Sequence, residues 1–402
     1  MRSESAPDPI SPGEPRGLPP KVIVCAIAWI LAAAAFGASA ERAHAAEASN
    51  GEAPIPAATL ALMAARETTP AAPVLIRSYK KEAEMEVWKL SRNGWYVLLK
   101  TFPICRWSGQ LGPKISQGDR QTPEGFYSVG PKQMNPNSHY YLSFDTGYPN
   151  AYDRAHGGSG SYLMVHGTCS SAGCYAMTDR GVGEIYAIVR DALRGGQAAF
   201  QFQAFPFRMS AQNIARRRSD PNIEFWHQLK EGSDRFEATG EEASVAVAAG
   251  RYVFGPSKDP AREALAKARL VREAATVRAL IAEGSPAIKT TYSDGGQHPA
   301  FAALARQGAN LGEISRPEAL AYAGIEEVVT PPKPKWRPCL GQGACAPLAL
   351  RLPVAADANP ALANVEPAAL ARSPLGYKVE LLGPSRSLIG GSQPILSANL
   401  TD

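Results

Sequence analysis

The stretch Tyr162-Leu163-Met164-Val165-His166-Gly167-Thr168-Cys169-Ser170-Ser171-Ala172-Gly173-Cys174-Tyr175-Ala176-Met177 holds a base and a thiol at a spacing that suits covalent chemistry. Its apolar opening reads as a strand that delivers His166 and Gly167. Mostly small residues then form a short loop, closed by Gly173 and Cys174. A thiol is a weak nucleophile until it becomes a thiolate, so it needs a base beside it. A histidine at the end of a strand, facing a cysteine across a tight loop, supplies that base. The chemistry implied is attack on a carbonyl carbon, with Cys174 as nucleophile and His166 as general base and acid. Gly173 has no side chain to crowd an incoming carbonyl. The backbone N–H groups around Gly173 and Cys174 are candidate donors to the oxyanion of a tetrahedral intermediate. The residues alone also allow another reading, with Cys174 bonded to Cys169 or Cys105 and His166 a hydrogen-bonded core residue.

Composition narrows the alternatives. With 42 Lys+Arg against 37 Asp+Glu the formal charge is +5 over 402 residues, too weak a balance to argue for nucleic acid. The one local basic cluster, Arg216-Arg217-Arg218, reads as a solvated face, with an anionic partner as the second reading. No phosphate loop, metal cluster or nucleotide fingerprint is visible, so neither metal nor cofactor is expected.

The amino terminus reads as an export signal over residues 1–45. Arg2, Arg16 and Lys21 precede an apolar run from Val22 to Ala38, and Ala43-His44-Ala45 offers a small-x-small cleavage site. The run is also just long enough to stay as an inner-membrane anchor. Either way the protein is expected in the periplasm. Cys25 is lost on cleavage, which leaves Cys105, Cys169, Cys174, Cys339 and Cys345, an odd number in an oxidising compartment. Cys339 and Cys345 are close enough to close a small loop. Cys169 joined to Cys174 would silence the nucleophile. Pairing Cys169 with Cys105 would keep Cys174 free, and it requires those two Cα atoms within about 7 Å.

The elements that must position this pair lie in one compact region. Residues 46–73 read as an Ala/Pro-rich linker, and residues 74–254 as the catalytic domain. Its strands are expected at Glu86–Leu90 and Trp95–Leu99, joined at Asn93-Gly94, then at Gly125–Val129, Tyr140–Phe144, Tyr162–Val165 and Ala199–Phe205. A helix capped by Thr178 or Asp179 carries the stripe Val182, Ile185, Val189 and Leu193 and ends at Gly195-Gly196. A short helix around Ile223–Lys230 and a small hairpin around Gly250 follow. Residues 255–329 read as a helical extension, with Leu270, Ala274, Val277 and Ile281 on one side of a helix over Pro260–Glu283. Residues 330–402 read as a Pro/Ala-rich, largely disordered tail. Truncation after Phe254 is therefore expected to leave a soluble, active domain.

The His-Gly followed by Gly-Cys resembles the catalytic signature of the L,D-transpeptidases, the YkuD-type domain. The runs Thr101-Phe102-Pro103-Ile104-Cys105, Gly118-Asp119-Arg120-Gln121-Thr122-Pro123-Glu124-Gly125 and Pro149-Asn150-Ala151-Tyr152-Asp153-Arg154-Ala155-His156-Gly157 look like the YafK-like branch. So do Pro206-Phe207-Arg208-Met209 and Arg251-Tyr252-Val253. The resemblance covers about Val74 to Phe254. It implies a β-rich α+β fold, a catalytic β-sandwich or barrel with a few helices. It also implies a cysteine that attacks peptidoglycan stem peptides and forms an acyl-enzyme. An amine resolves that intermediate into a cross-link, or water resolves it by hydrolysis, as in release of an outer-membrane lipoprotein from the wall. Carried onto this chain, Cys174 is the nucleophile, His166 the base, and the Gly167 carbonyl the group orienting the imidazole. Tyr152, Asp153, Arg154 and His156 are candidate substrate-binding residues, Arg154 because a guanidinium fork fits a carboxylate.

Overall fold

The protein was analysed as a computed structural model that describes residues 50–329. The export signal, the 330–402 tail and the Cys339–Cys345 pair fall outside those residues.

The described chain enters through helix α1 (Ala57–Ala65) and runs into strands β1 (Val74–Tyr79), β2 (Glu84–Leu90) and β3 (Tyr96–Pro103). β4 (Gly125–Val129), β5 (Met134–Asn135), β6 (Ser143–Asp145) and the short helix α2 (Ala151–Ala155) follow. Next come β7 (Met164–His166), β8 (Tyr175–Ala176), helix α3 (Asp179–Arg194) and β9 (Phe200–Phe205). Helices α4 (Ala211–Arg216) and α5 (Ile223–Thr239) lead to a hairpin of β10 (Val245–Ala248) and β11 (Arg251–Phe254). Helix α6 (Pro260–Ala282) precedes a strand pair, Ile288–Thr291 with Ile325–Val328, that brackets helix α7 (Pro299–Arg306).

Two mixed sheets form the body. The larger has the order β3-β2-β1-β9-β4, with β1 and β9 parallel. The smaller has the order β5-β6-β7-β8. Aromatic side chains join them: Phe144 of β6 meets Phe200 of β9 at 5.6 Å, and Tyr175 of β8 meets Phe202 at 5.5 Å. Helix α3 begins where Thr178 accepts a hydrogen bond from the Gly181 N–H, a side-chain cap for an otherwise orphaned donor. Its Val182, Ile185, Ile188 and Val189 are fully buried, and it packs against β1, β6 and β7. The site strand β7 is thus backed by a helix on one side and flanked by strands on both edges.

The fold class expected from sequence stands, and several boundaries move. β1 was not anticipated. It carries Arg77 in an otherwise strand-like run, yet it is the middle strand and is buried along its whole length. Arg77 is accommodated by Glu237 at 2.5 Å and by the face of Phe236, 4.6 Å from the guanidinium. The expected strand at Tyr140 starts only at Ser143, and the one at Tyr162 only at Met164. Tyr141 (φ +70°) and Tyr162 (φ +59°) adopt left-handed backbone that a strand cannot contain. The short helix expected around Ile223–Lys230 continues to Thr239, where Gly240 in the left-handed conformation ends it.

Residues 50–73 are no loose linker. Ile55, Thr59 and Met63 are buried, Thr59 bonds to Glu184 of α3, and Arg190 of α3 donates to the Gly51 and Ala53 carbonyls at 2.7 and 2.8 Å.

The extension over 255–329 is also built into the body. Of the expected α6 stripe, Val277 is buried, whereas Ala274 and Ile281 are exposed. Helix α5 turns Lys230, Asp234 and Arg235 towards α6, so the seam is made of ion pairs: Lys230–Glu273 at 2.9 Å, Arg269–Asp234 at 3.2 Å and Arg235–Glu263 at 3.2 Å. Beyond α6, Gly296 pairs with Trp107 through two backbone hydrogen bonds, and Tyr292 packs edge-on to the Trp107 ring at 4.8 Å. Gly295 is required there: a Cβ at that position would lie 2.0 Å from the Trp107 carbonyl oxygen.

Candidate active site

The smaller sheet brings the segments that carry His166 and Cys174 together. β7 and β8 are parallel neighbours, with Val165 opposite Tyr175 and His166 opposite Ala176. Parallel neighbours ordinarily need a crossover of a dozen or more residues. Here residues 167–174 make the connection alone, through left-handed backbone at Thr168 (φ +60°) and Gly173 (φ +134°). Gly173 serves that turn, since a Cβ there would meet Leu163 Cδ1 at 3.0 Å.

Three attachments pin the loop. Cys169 is disulfide-bonded to Cys105, with Cα atoms 5.2 Å apart. The Thr168 N–H donates to Asp179 Oδ1 at 2.8 Å. Ser171 is the third: its hydroxyl accepts from the N–H groups of Cys174 (3.1 Å) and Gly173 (3.3 Å) and donates to the Cys174 carbonyl (2.8 Å). Removing the disulfide with the double variant Cys105→Ala/Cys169→Ala should lower unfolding stability by about 2–4 kcal/mol, since the bond closes a long loop of chain. Denaturant midpoints of the two proteins check this. An unchanged midpoint would mean that the loop is held by its hydrogen bonds alone.

Nδ1 of His166 bonds to the Gly167 carbonyl, as expected for an oriented imidazole. A carbonyl can only accept, so Nδ1 carries the proton and Nε2 presents a lone pair. The Tyr140 ring lies 4.6 Å from the imidazole, tilted by 32° to it. Cys174 is the free cysteine among the described residues. Its sulfur accepts from the Met164 N–H at 3.4 Å and lies 3.8 Å from the Tyr162 carbonyl. Both side chains line one cavity of about 330 Å³, together with Lys114, Arg120, Tyr140, Tyr162 and Ser315. No hydrogen bond joins His166 to Cys174 among the described residues.

Burial pushes the Cys174 thiol up to about 11, and the Met164 N–H offsets only part of that rise. Burial also lowers His166 below its ordinary value, against the pull of the Gly167 carbonyl. At neutral pH the pair is therefore a thiol and a neutral imidazole, and the proton moves when the electrophile arrives. The sign follows directly. His166 must lose its proton to act as base, so reactivity rises with pH through a limb below about 6.5. It then stays level until the thiol ionises. Alkylation of Cys174 by iodoacetamide across pH 5–10 checks this. A tenfold rise per pH unit throughout pH 7–10 would show a thiol working without its base.

The structure places two sets of the expected site groups in other contacts. The Gly173 and Cys174 amides are not aimed at the cavity, because both donate to Ser171 Oγ. Tyr152, Asp153, Arg154 and His156 do not line the cavity. They build α2: Asp153 and Asn150 bond each other's backbone N–H reciprocally, and Tyr152 stacks between His156 (4.1 Å) and Tyr252 (4.6 Å). Arg154 donates to the Pro149 carbonyl. The residues that sequence reasoning missed are Arg120, Tyr162, Ser171 and Ser315. Three stand in runs already singled out, but Ser315 comes from the extension and bonds the Ser171 backbone at 2.9 Å both ways.

Known proteins share part of this sequence. Residues 82–195 match the model of the YkuD family, the L,D-transpeptidase catalytic domain. The chain is 48% identical over 181 residues to the Escherichia coli (strain K12) protein named "Putative L,D-transpeptidase YafK", covering 45% of this chain and 73% of that one. The chain belongs to the L,D-transpeptidase catalytic-domain family. Among solved structures this family member is similar to the helical cell shape determining protein Pgp2 of Campylobacter jejuni. That match has 15% identity and a TM-score of 0.27, over 58% of this chain and 80% of that one. It is also similar to Bd1075 of Bdellovibrio bacteriovorus, at 16% identity and a TM-score of 0.25, over 56% and 77% of the two chains. The matched family segment contains His166, Cys174 and Cys105 and stops well short of Asp294 and Ser315.

Proposed function

We propose that the protein is a cysteine acyltransferase of peptidoglycan stem peptides, exported to the periplasm by residues 1–45. One observation carries the reading: the free thiol Cys174 and an imidazole with its Nε2 lone pair available line one cavity, while the neighbouring cysteines are locked together. His166 Nε2 takes the thiol proton as sulfur bonds to the peptide carbonyl carbon. The leaving amine departs with that proton and a thioester remains on Cys174. An incoming amine attacks the thioester and gives its proton to His166, the new amide forms as the carbon–sulfur bond breaks, and His166 returns the proton to the Cys174 thiolate. For Gly173 to serve the oxyanion, its N–H must turn from Ser171 Oγ to the developing charge, so that role belongs to a rearranged loop.

The acceptor decides between cross-linking and cleavage. Incubating the full chain with wall fragments, alone and with an added amine acceptor, and separating the products by mass distinguishes them. Cross-linked peptides support the transfer reading. Shortened peptides, or release of a wall-linked lipoprotein, support water as acceptor. Unchanged fragments contradict both.

A further inference from the structure

We propose that Arg120 is the residue of this cavity that recognises a carboxylate, and that Asp294, from the extension, is its positioning residue. Among the described residues, the cavity around Cys174 is lined by two cationic side chains, Lys114 and Arg120, and by no Asp or Glu. Lys114 is nearly buried and tied to Asp119. Arg120 is one-third exposed. It spends one edge of its guanidinium on Asp294, at 3.2 Å from Nε and 2.7 Å from Nη2, and Nη2 also donates to the Ser171 carbonyl at 3.1 Å. Its Nη1 makes no hydrogen bond among the described residues. The planar fork thus keeps an end available for an anion.

Asp294 does not neutralise this group fully. Arg106 lies at 3.8 Å and Arg316 at 3.4 Å from the same carboxylate oxygen. Three guanidinium groups share one carboxylate, and Glu318 reaches only the outer one, Arg316, at 3.6 Å. The cluster keeps a net positive charge at the cavity wall. Arg120 is also held at φ +57°, a conformation that an L-residue enters at a cost. Asp294 is fixed in turn, because its Oδ1 accepts from the Gly109 N–H at 3.0 Å and it precedes the Gly295-Gly296 contact with Trp107. Resting on the acyl-transfer reading, the ligand is a free carboxylate of the peptide, close to the carbonyl that Cys174 attacks. The anion preference itself needs only the geometry.

The test compares alkylation of Cys174 by iodoacetate and by iodoacetamide, which differ in charge and little in shape. The full chain is used, and the rate ratio is set against that of 2-mercaptoethanol. The wild-type ratio should exceed the small-thiol ratio by about tenfold, the size of one charge-assisted hydrogen bond. Arg120→Gln should bring it back to the small-thiol value by lowering the iodoacetate rate far more than the iodoacetamide rate, and Arg120→Lys should restore part of it. Asp294→Asn, although it removes a negative charge, should lower the ratio because Arg120 loses the partner that orients it, whereas Arg316→Gln, which removes a positive charge outside the cavity lining, should lower it by less than Arg120→Gln does. A wild-type ratio equal to that of the small thiol overturns the proposal. So does an Arg120→Gln variant in which both rates fall together, since that is a packing effect. Alkylation requires no acyl transfer, so an anion preference without any wall product would refute only the functional reading.

Discussion

Cys174→Ser should lower turnover of wall peptides about a thousandfold or more while leaving the thermal melt nearly unchanged. A serine hydroxyl is far harder to ionise than a thiol, and this site offers it one imidazole oriented by the Gly167 carbonyl rather than by a carboxylate. The substitution is nearly isosteric, so the hydroxyl can still accept from the Met164 N–H and the loop keeps its Ser171 bonds. His166→Ala should cost about 10²–10⁴ in rate by the loss of general acid–base catalysis. By contrast, His156→Ala should act on stability, because that imidazole stacks on Tyr152 away from the cavity. Steady-state rates and melting curves of the three variants check the pattern. Substantial activity in Cys174→Ser would remove the thiol from its assigned role.

Truncation after Phe254 is the second large effect, and its direction reverses the expectation from composition. Removing the extension uncovers Trp107, which Tyr292 and Gly296 cover, and strips Phe301 from the disulfide. It also leaves Arg106, which is fully buried, without its bonds to the Asp294 and Ser315 carbonyls. Orphaning a buried charge costs about 3–5 kcal/mol, a large share of the stability of an ordinary domain. The truncated protein should therefore lose its cooperative melt or fail to stay soluble. A sharp transition and retained Cys174 reactivity after truncation would show that the extension is dispensable.

The contrast between the two predictions shows what could be read from the sequence. The candidate pair His166 and Cys174 was legible as neighbours because it is local: an apolar strand, a loop of small residues and a Gly-Cys lie within one short run, and β7 and β8 realise that order directly. The Cys105–Cys169 bond was legible as well, from the parity of the cysteines and the need to keep Cys174 free. Helix α3 followed from its stripe and its Thr178 cap. The rest depends on distant pairings. β1 hides behind Arg77, whose charge is answered by Glu237 far along the chain. The α5–α6 seam is largely ionic, so hydrophobic periodicity found the buried Val277 but also pointed to the exposed Ala274 and Ile281. Ser315 reaches the cavity, and Asp294 reaches Arg120 on its wall, from an aromatic-poor segment, and no local spacing signals that. The Tyr152–His156 run looked functional because its residue types are reactive, yet its stacking and capping bonds occupy them.

The most direct test of the central claim is to trap the acyl-enzyme. The full chain is mixed with a stem-peptide donor, quenched in acid at early times and digested, and the modified residue is located by mass spectrometry. A thioester on Cys174 is expected, carrying the acyl part of the donor and lacking its leaving amine. It should be absent from the Cys174→Ser variant and slow to form in His166→Ala. An acyl group found on any other residue, or turnover of the donor with no covalent species on Cys174, would contradict the account.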